Sequence, residues 1–100
     1  MKPNNLSFPT RDFGTMTVVT STYQNGDALA VELVQEDGEP FTMLSVNIPK
    51  SAHLLGPNEF FAKTWSENGE VTKDALASKV FRYTGRTSND DVNAQIWTFK

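Results

Sequence analysis

The chain has 100 residues, no cysteine and a net charge of −3, with nine Lys plus Arg against twelve Asp plus Glu. That length fits one domain, for which folding buries roughly 65% of the unfolded surface. The absence of cysteine excludes a disulfide scaffold and thiolate metal sites. The longest apolar run is four residues, Ala28 to Val31, far short of a membrane span. The first residues carry no apolar stretch of the signal-peptide kind, so a cytoplasmic protein with no membrane association is expected.

Residues 1–14 contain Pro3, Pro9 and few apolar side chains, and read as a loose N-terminal arm that Leu6 and Phe8 could pin. Residues 15–100 read as the single folded domain. Thr15 to Tyr23 is dense in Thr, Val and Tyr, which suit a half-buried pleated surface. Asn25-Gly26 follows, the dipeptide that best tolerates the positive φ values of a type I′ hairpin turn. Leu29, Val31 and Leu33 then alternate with Ala30, Glu32 and Val34, placing the first three on the core face of a second strand. Glu36-Asp37-Gly38-Glu39-Pro40 is a turn cluster, and Phe41 to Ile48 reads as a third strand. Together these form a meander.

Pro49 ends that strand, and residues 50–58 read as a loop. Glu59 to Lys63 is a short fourth strand, followed by a turn at Ser66 to Gly69. Thr72 to Lys79 is the one helical candidate, with Thr72 as its cap and Asp74 in its first turn. Val80 to Tyr83 leads into a strand. Residues 85–91 read as a polar loop, and Val92 to Phe99 closes the sheet. The fold class is α+β: a curled antiparallel sheet of five to six strands with one short helix. Apolar side chains occupy both faces of several strands, at Val18-Val19, Phe60-Phe61 and Ile96-Trp97. Either the sheet curls into a roll, or one face meets another protein, including a second copy of this chain.

Chemistry-bearing patterns are sparse. His53 is the single histidine, with no metal-ligand spacing around it. The six glycines are scattered singly and form no phosphate-cradling loop. Asp90-Asp91 is a candidate carboxylate pair, but neighbours on a strand point to opposite sides and neighbours in a loop are solvated. No cofactor, metal ligand or catalytic residue is expected. Glu32, Glu36, Asp37 and Glu39 gather acid around one turn. That turn is either a solvated tip or a mimic of nucleic-acid phosphates aimed at a basic channel. Trp65, just after a strand, and Phe61 are the aromatic anchors paired with Glu36, Asp37 and Glu39 as a partner-binding set. Lys79, Arg82, Tyr83 and Arg86 interleave basic and aromatic residues and form an alternative, nucleic-acid-binding set. The negative net charge weighs against direct nucleic-acid binding.

Several segments resemble an uncharacterised family of small bacterial proteins, a domain of unknown function common on plasmids, phages and integrated elements. They are Tyr23-Gln24-Asn25-Gly26-Asp27-Ala28-Leu29-Ala30-Val31-Glu32-Leu33, Gly38-Glu39-Pro40-Phe41, Ser45-Val46-Asn47-Ile48-Pro49, residues 59–63, Ser66-Glu67-Asn68 and Thr84-Gly85-Arg86. The resemblance supplies no catalytic residues. It implies a mobile-element setting, in which small acidic proteins often block host defence machines such as CRISPR effectors and restriction enzymes. The expectation is therefore a non-enzymatic inhibitor of a bacterial defence complex, a host protein or ribonucleoprotein, acting by steric or electrostatic blocking of a nucleic-acid channel. The alternatives are a nucleic-acid accessory protein using the basic-aromatic strand, and a small enzyme with an unrecognised carboxylate site.

Overall fold

The computed structural model describes residues 6–25 and 28–100. Among these residues, seven strands and one α-helix follow in chain order: β1 (Ser7–Pro9), β2 (Thr15–Thr22), β3 (Leu29–Val34), β4 (Pro40–Met43), β5 (Glu59–Ala62), α1 (Gly69–Ala77), β6 (Phe81–Thr87) and β7 (Gln95–Phe99). Short 3-10 turns cover Pro49–Leu54 and Ser66–Asn68. The class is α+β, but the strands form two antiparallel sheets where one of five to six strands was expected. The first has the order β1-β2-β3-β4 and the second the order β5-β7-β6.

The split occurs inside the segment expected as one strand from Phe41 to Ile48. Pro40–Met43 pairs with β3, and a register shift lies opposite Leu33 and Val34. Beyond Met43 the chain turns toward the second sheet. Leu44 accepts a backbone bond from Lys63 (2.7 Å), Val46 donates to Phe61 (2.9 Å), and Ser45 bridges Ala62. Ser45 sits at this corner. Its hydroxyl accepts the Val31 N–H at 2.8 Å and pairs with the Tyr23 hydroxyl at 2.7 Å. A side chain thus replaces the ladder acceptor that a continuous strand would supply.

Val18 pairs with Leu33 and Thr20 with Val31, so the expected core face of β3 points inward, with Val31 and Leu33 fully buried. The core between the two sheets gathers Met16, Val18, Leu44, Phe60, Phe81 and Trp97, with Val71 and Ala75 from α1. On the reverse face of the second sheet, the part around Phe61 and Ile96 is also buried. Phe61 and Ile96 lie there with Ala94 beneath Val46, Ile48, Leu54 and Leu55. The chain's own 46–55 segment therefore covers the second apolar face that the alternation had left open.

Other expectations shift. The helix starts at Gly69 rather than Thr72, because Gly69 already has helical angles (φ −52°, ψ −44°). Thr72 is buried within the first turn, and its hydroxyl donates to the Gly69 carbonyl (3.1 Å) instead of capping. β6 runs through Gly85 and Arg86, expected as loop. Gly85 has φ +88°, and a register shift lies between Tyr83 and Thr87. The last strand begins at Gln95, not Val92. Within the expected arm, Ser7–Pro9 is a strand and Phe8 is buried. The Asn25-Gly26 turn includes Gly26, which lies outside the described residues; the last described rung is Tyr23 N–H to Ala28 O at 2.8 Å.

Candidate functional site

Antiparallel register fixes which loops share an end of the first sheet. Pro9 stands opposite Thr15, and Val34 opposite Thr17. The β1–β2 turn (10–14) and the β3–β4 turn (35–39) therefore emerge side by side. The acidic tip is shaped by its backbone: Gln35 N–H bonds Glu39 O (2.9 Å), Gly38 N–H bonds Gln35 O (2.9 Å), and Asp37 Oδ1 accepts the Glu39 N–H (3.0 Å). Gly38 has φ +91°, a region that β-carbon-bearing residues resist. Glu36, Asp37 and Glu39 are exposed, and none makes an ion pair among the described residues.

The neighbouring turn adds an aromatic. Thr10 Oγ1 accepts the Phe13 N–H (2.9 Å) and donates to Gly14 O (2.6 Å), which holds Phe13 at the turn's crest. Phe13 is 39% exposed and packs on Phe41 with centroids 5.0 Å apart. Phe13, Gln35, Glu36 and Asp37 line a shallow groove of about 300 Å³. This end of the sheet is acidic and aromatic together.

The two anchors expected from sequence fare differently. Phe61 is 1% exposed and packs under the 46–55 segment, so it offers no surface to a partner. Its alternation had suggested an unfilled face, which the chain fills itself. Trp65 is 38% exposed, but its turn is tied to the Met43 end of β4 through Asn68. The tip leads into the other end of that strand, roughly 10 Å away by strand rise. The structure does not bring Trp65 into the groove. Phe13, missed by sequence reasoning, is the aromatic that stands beside the acidic tip. The signal lay in Thr10 to Gly14, had these residues been read as a hairpin turn beside β2.

The alternative basic set is partly committed to the fold. Arg86 clamps Glu59, with Nη2 to Oε2 at 2.6 Å, and also donates to Leu54 O at 3.0 Å. Lys79 follows α1 with φ +67°, and Arg82 and Tyr83 are exposed on the edge strand β6. Asp90 builds its loop: Oδ1 accepts from Ser88 Oγ and from the Val92 and Asn93 N–H groups, and the Ser88 hydroxyl above all holds its carboxyl below the usual range. His53 is exposed in the Pro49–Leu54 turn. Among the described residues, no three His, Asp or Glu side chains gather as metal ligands.

Two further carboxylates link stability to pH. Burial opposes the ionisation of Glu59. The Arg86 hydrogen bond, the Gly56 N–H and the charges of Arg86 and Arg82 outweigh it and lower its pKa. Glu67, paired with Lys63 Nζ at 2.8 Å, is lowered to about 2. Both folded values lie below the ordinary 4.5, so their stabilisation is present above that pH and fades as acid protonates them. Glu59→Gln is expected to lower the urea midpoint at pH 6 and to flatten the stability loss below pH 4.5. Parallel pH profiles of wild type and variant would refute the clamp.

Comparison of the chain with protein-family models, with curated proteins and with solved structures finds no match.

Proposed function

We propose that the chain is a non-enzymatic binding protein of a mobile genetic element. In its sharpest form it is an inhibitor of a bacterial defence complex, of the anti-CRISPR or anti-restriction kind. It would lay the acidic, aromatic end of its first sheet over a basic nucleic-acid channel. The observation that supports this reading is the exposed Glu36, Asp37 and Glu39 tip, without internal counter-charges among the described residues, beside the exposed Phe13 ring. Ionised carboxylates on a backbone-defined turn project a negative potential that steers toward Lys- and Arg-lined grooves. An aromatic side chain beside them adds apolar contact area once the groove closes over it. The mobile-element setting rests on the family resemblance.

The nucleic-acid reading retains Arg82 and Tyr83 on β6 but loses most of Arg86 to its clamp. A homodimer would use the outer face of the first sheet. There Val19 and Met43, 43% and 37% exposed, flank Glu32 in one cross-strand row, so a carboxylate would sit in the middle of the interface.

The test is inhibition of target-DNA binding across a panel of purified CRISPR effector and restriction complexes. Wild type is expected to block one of them. Joint reversal of Glu36, Asp37 and Glu39 to Lys is expected to leave the melting midpoint nearly unchanged, since solvated turn positions have little to lose. It should slow association by about tenfold or more and reverse the salt dependence. Unaltered association kinetics at two ionic strengths would remove the acidic tip from the mechanism.

A further inference from the structure

Among the described residues, the two sheets form a roll with one seam joined and one seam open. Residues 44–46 join them on one side by backbone hydrogen bonds to β5. On the other side β1 and β6 are the terminal strands of their sheets and do not pair with each other. Helix α1 packs against both, and Phe8 of β1 reaches across to Phe81 of β6, edge to face at 6.1 Å.

We propose that β1 and the turn after it form a detachable strap over this open seam, latched to α1 by Arg11. The strap is weakly built into its sheet. It has three residues and one partner strand, Ser7 and Pro9 are exposed, and Pro9 has no N–H to give the ladder. Beyond its ladder to β2 and the partly buried Leu6 at its start, its hold comes from two points. One is Phe8, 1% exposed in the core. The other is Arg11, whose Nε donates to Asp74 Oδ1 (3.1 Å), whose backbone N–H donates to Asp74 Oδ2 (3.3 Å), and whose Nη2 meets Glu70 Oε1 (3.3 Å).

The latch is asymmetric. The Asp74 side chain is 11% exposed, so it is fixed in place, whereas the Arg11 side chain is 67% exposed and can leave into water. Beside it lies an open surface pocket of about 240 Å³ lined by Pro9, Thr10, Arg11, Asp74, Ala77 and Ser78, so solvent reaches this part of the strap. The turn that carries Arg11 is exposed and its bonds to α1 face solvent, the condition under which a segment opens below the global unfolding free energy. Lifting the strap breaks the Val18 N–H to Leu6 O bond (2.8 Å), frees the edge of β2 and uncovers the flank of Phe81.

Amide hydrogen exchange on the full chain tests this. The Val18 amide, bonded to Leu6 O, is expected to exchange faster than the amides of Ile96 to Thr98 in the central strand of the second sheet. Arg11→Ala should speed Val18 exchange about two- to fivefold, the scale of an exposed ion pair, and leave Ile96 to Thr98 unchanged. Arg11→Lys should fall between. Raising the salt on wild type should move Val18 in the same direction, which decides the matter if the alanine variant folds poorly. Equal protection of Val18 and the central strand would overturn the strap. So would a Val18 rate indifferent to Arg11 and salt, or acceleration of both regions together.

Discussion

Phe60→Ala is expected to destabilise the protein by about 3–5 kcal/mol, the range for truncating a buried aromatic. Phe60 is fully buried on β5, and its Cα stands opposite that of Trp97. Its ring meets Phe81 at 5.7 Å, Phe99 at 5.8 Å and Trp97 at 6.1 Å. Edge-to-face and tilted pairs of this kind add to the burial term, so the cavity left behind removes several contacts together. A neighbourhood of large rings cannot collapse into the gap without rotating Trp97, which is itself fully buried. Trp65→Ala is the control. At 38% exposure Trp65 should cost far less in the same urea titration. Similar losses for the two would mean that Phe60 is not central to the core.

The β2–β3 hairpin was legible because its signals agree. β-Branched residues, period-two alternation and turn chemistry all point to β2 and β3, and the inward face follows from them. The third strand misled for a physical reason. Its alternation continues from Phe41 to Ile48, but alternation reports which face is buried, not which strand is the neighbour. At Ser45 the neighbour changes from β3 to β5 while side chains go on alternating into packed surroundings. A serine in an apolar run was the one visible mark, and its hydroxyl does occupy a ladder position. β6 was curtailed because Gly85 and a register shift look like a loop in one dimension.

The candidate site was half legible for related reasons. Glu36, Asp37 and Glu39 are contiguous, so their clustering needs no fold to be seen. Phe13 joins them through the order β1-β2-β3-β4, which brings two turns to one end. That neighbourhood depended on a three-residue strand too short for period-two patterning to reveal. Phe61 failed as an anchor because the segment that buries it, residues 46–55, carries its apolar residues in a 3-10 turn and its flanks, where neither helical nor strand periodicity applies.

Asn68→Ala should cost about 3 kcal/mol, although the residue is polar and lies next to a glycine in what reads as a surface turn. Asn68 is fully buried. Its Nδ2 donates to Met43 O (2.8 Å) and to Lys63 O (2.9 Å), and its Oδ1 accepts from Thr42 Oγ1 (2.7 Å). One side chain thus ties the edge of the first sheet to the exit of β5 in the second, immediately before α1 begins. Alanine leaves two carbonyls and a hydroxyl without these partners, and each such group costs about 1 kcal/mol or more when water cannot reach it. Asn68→Asp separates this tie from simple packing, because the two side chains have nearly the same shape. At pH 7 a carboxylate would face two carbonyl oxygens with no donor between them, so the aspartate variant should be less stable than the alanine variant. Protonation supplies a donor again, so the aspartate variant should regain ground on the alanine variant as the pH falls. Burial beside carbonyl oxygens raises that carboxyl's pKa, so the recovery should begin above the ordinary aspartate range. An aspartate variant milder than alanine at pH 7, with no recovery in acid, would mean that the amide donors do not hold the two sheets together.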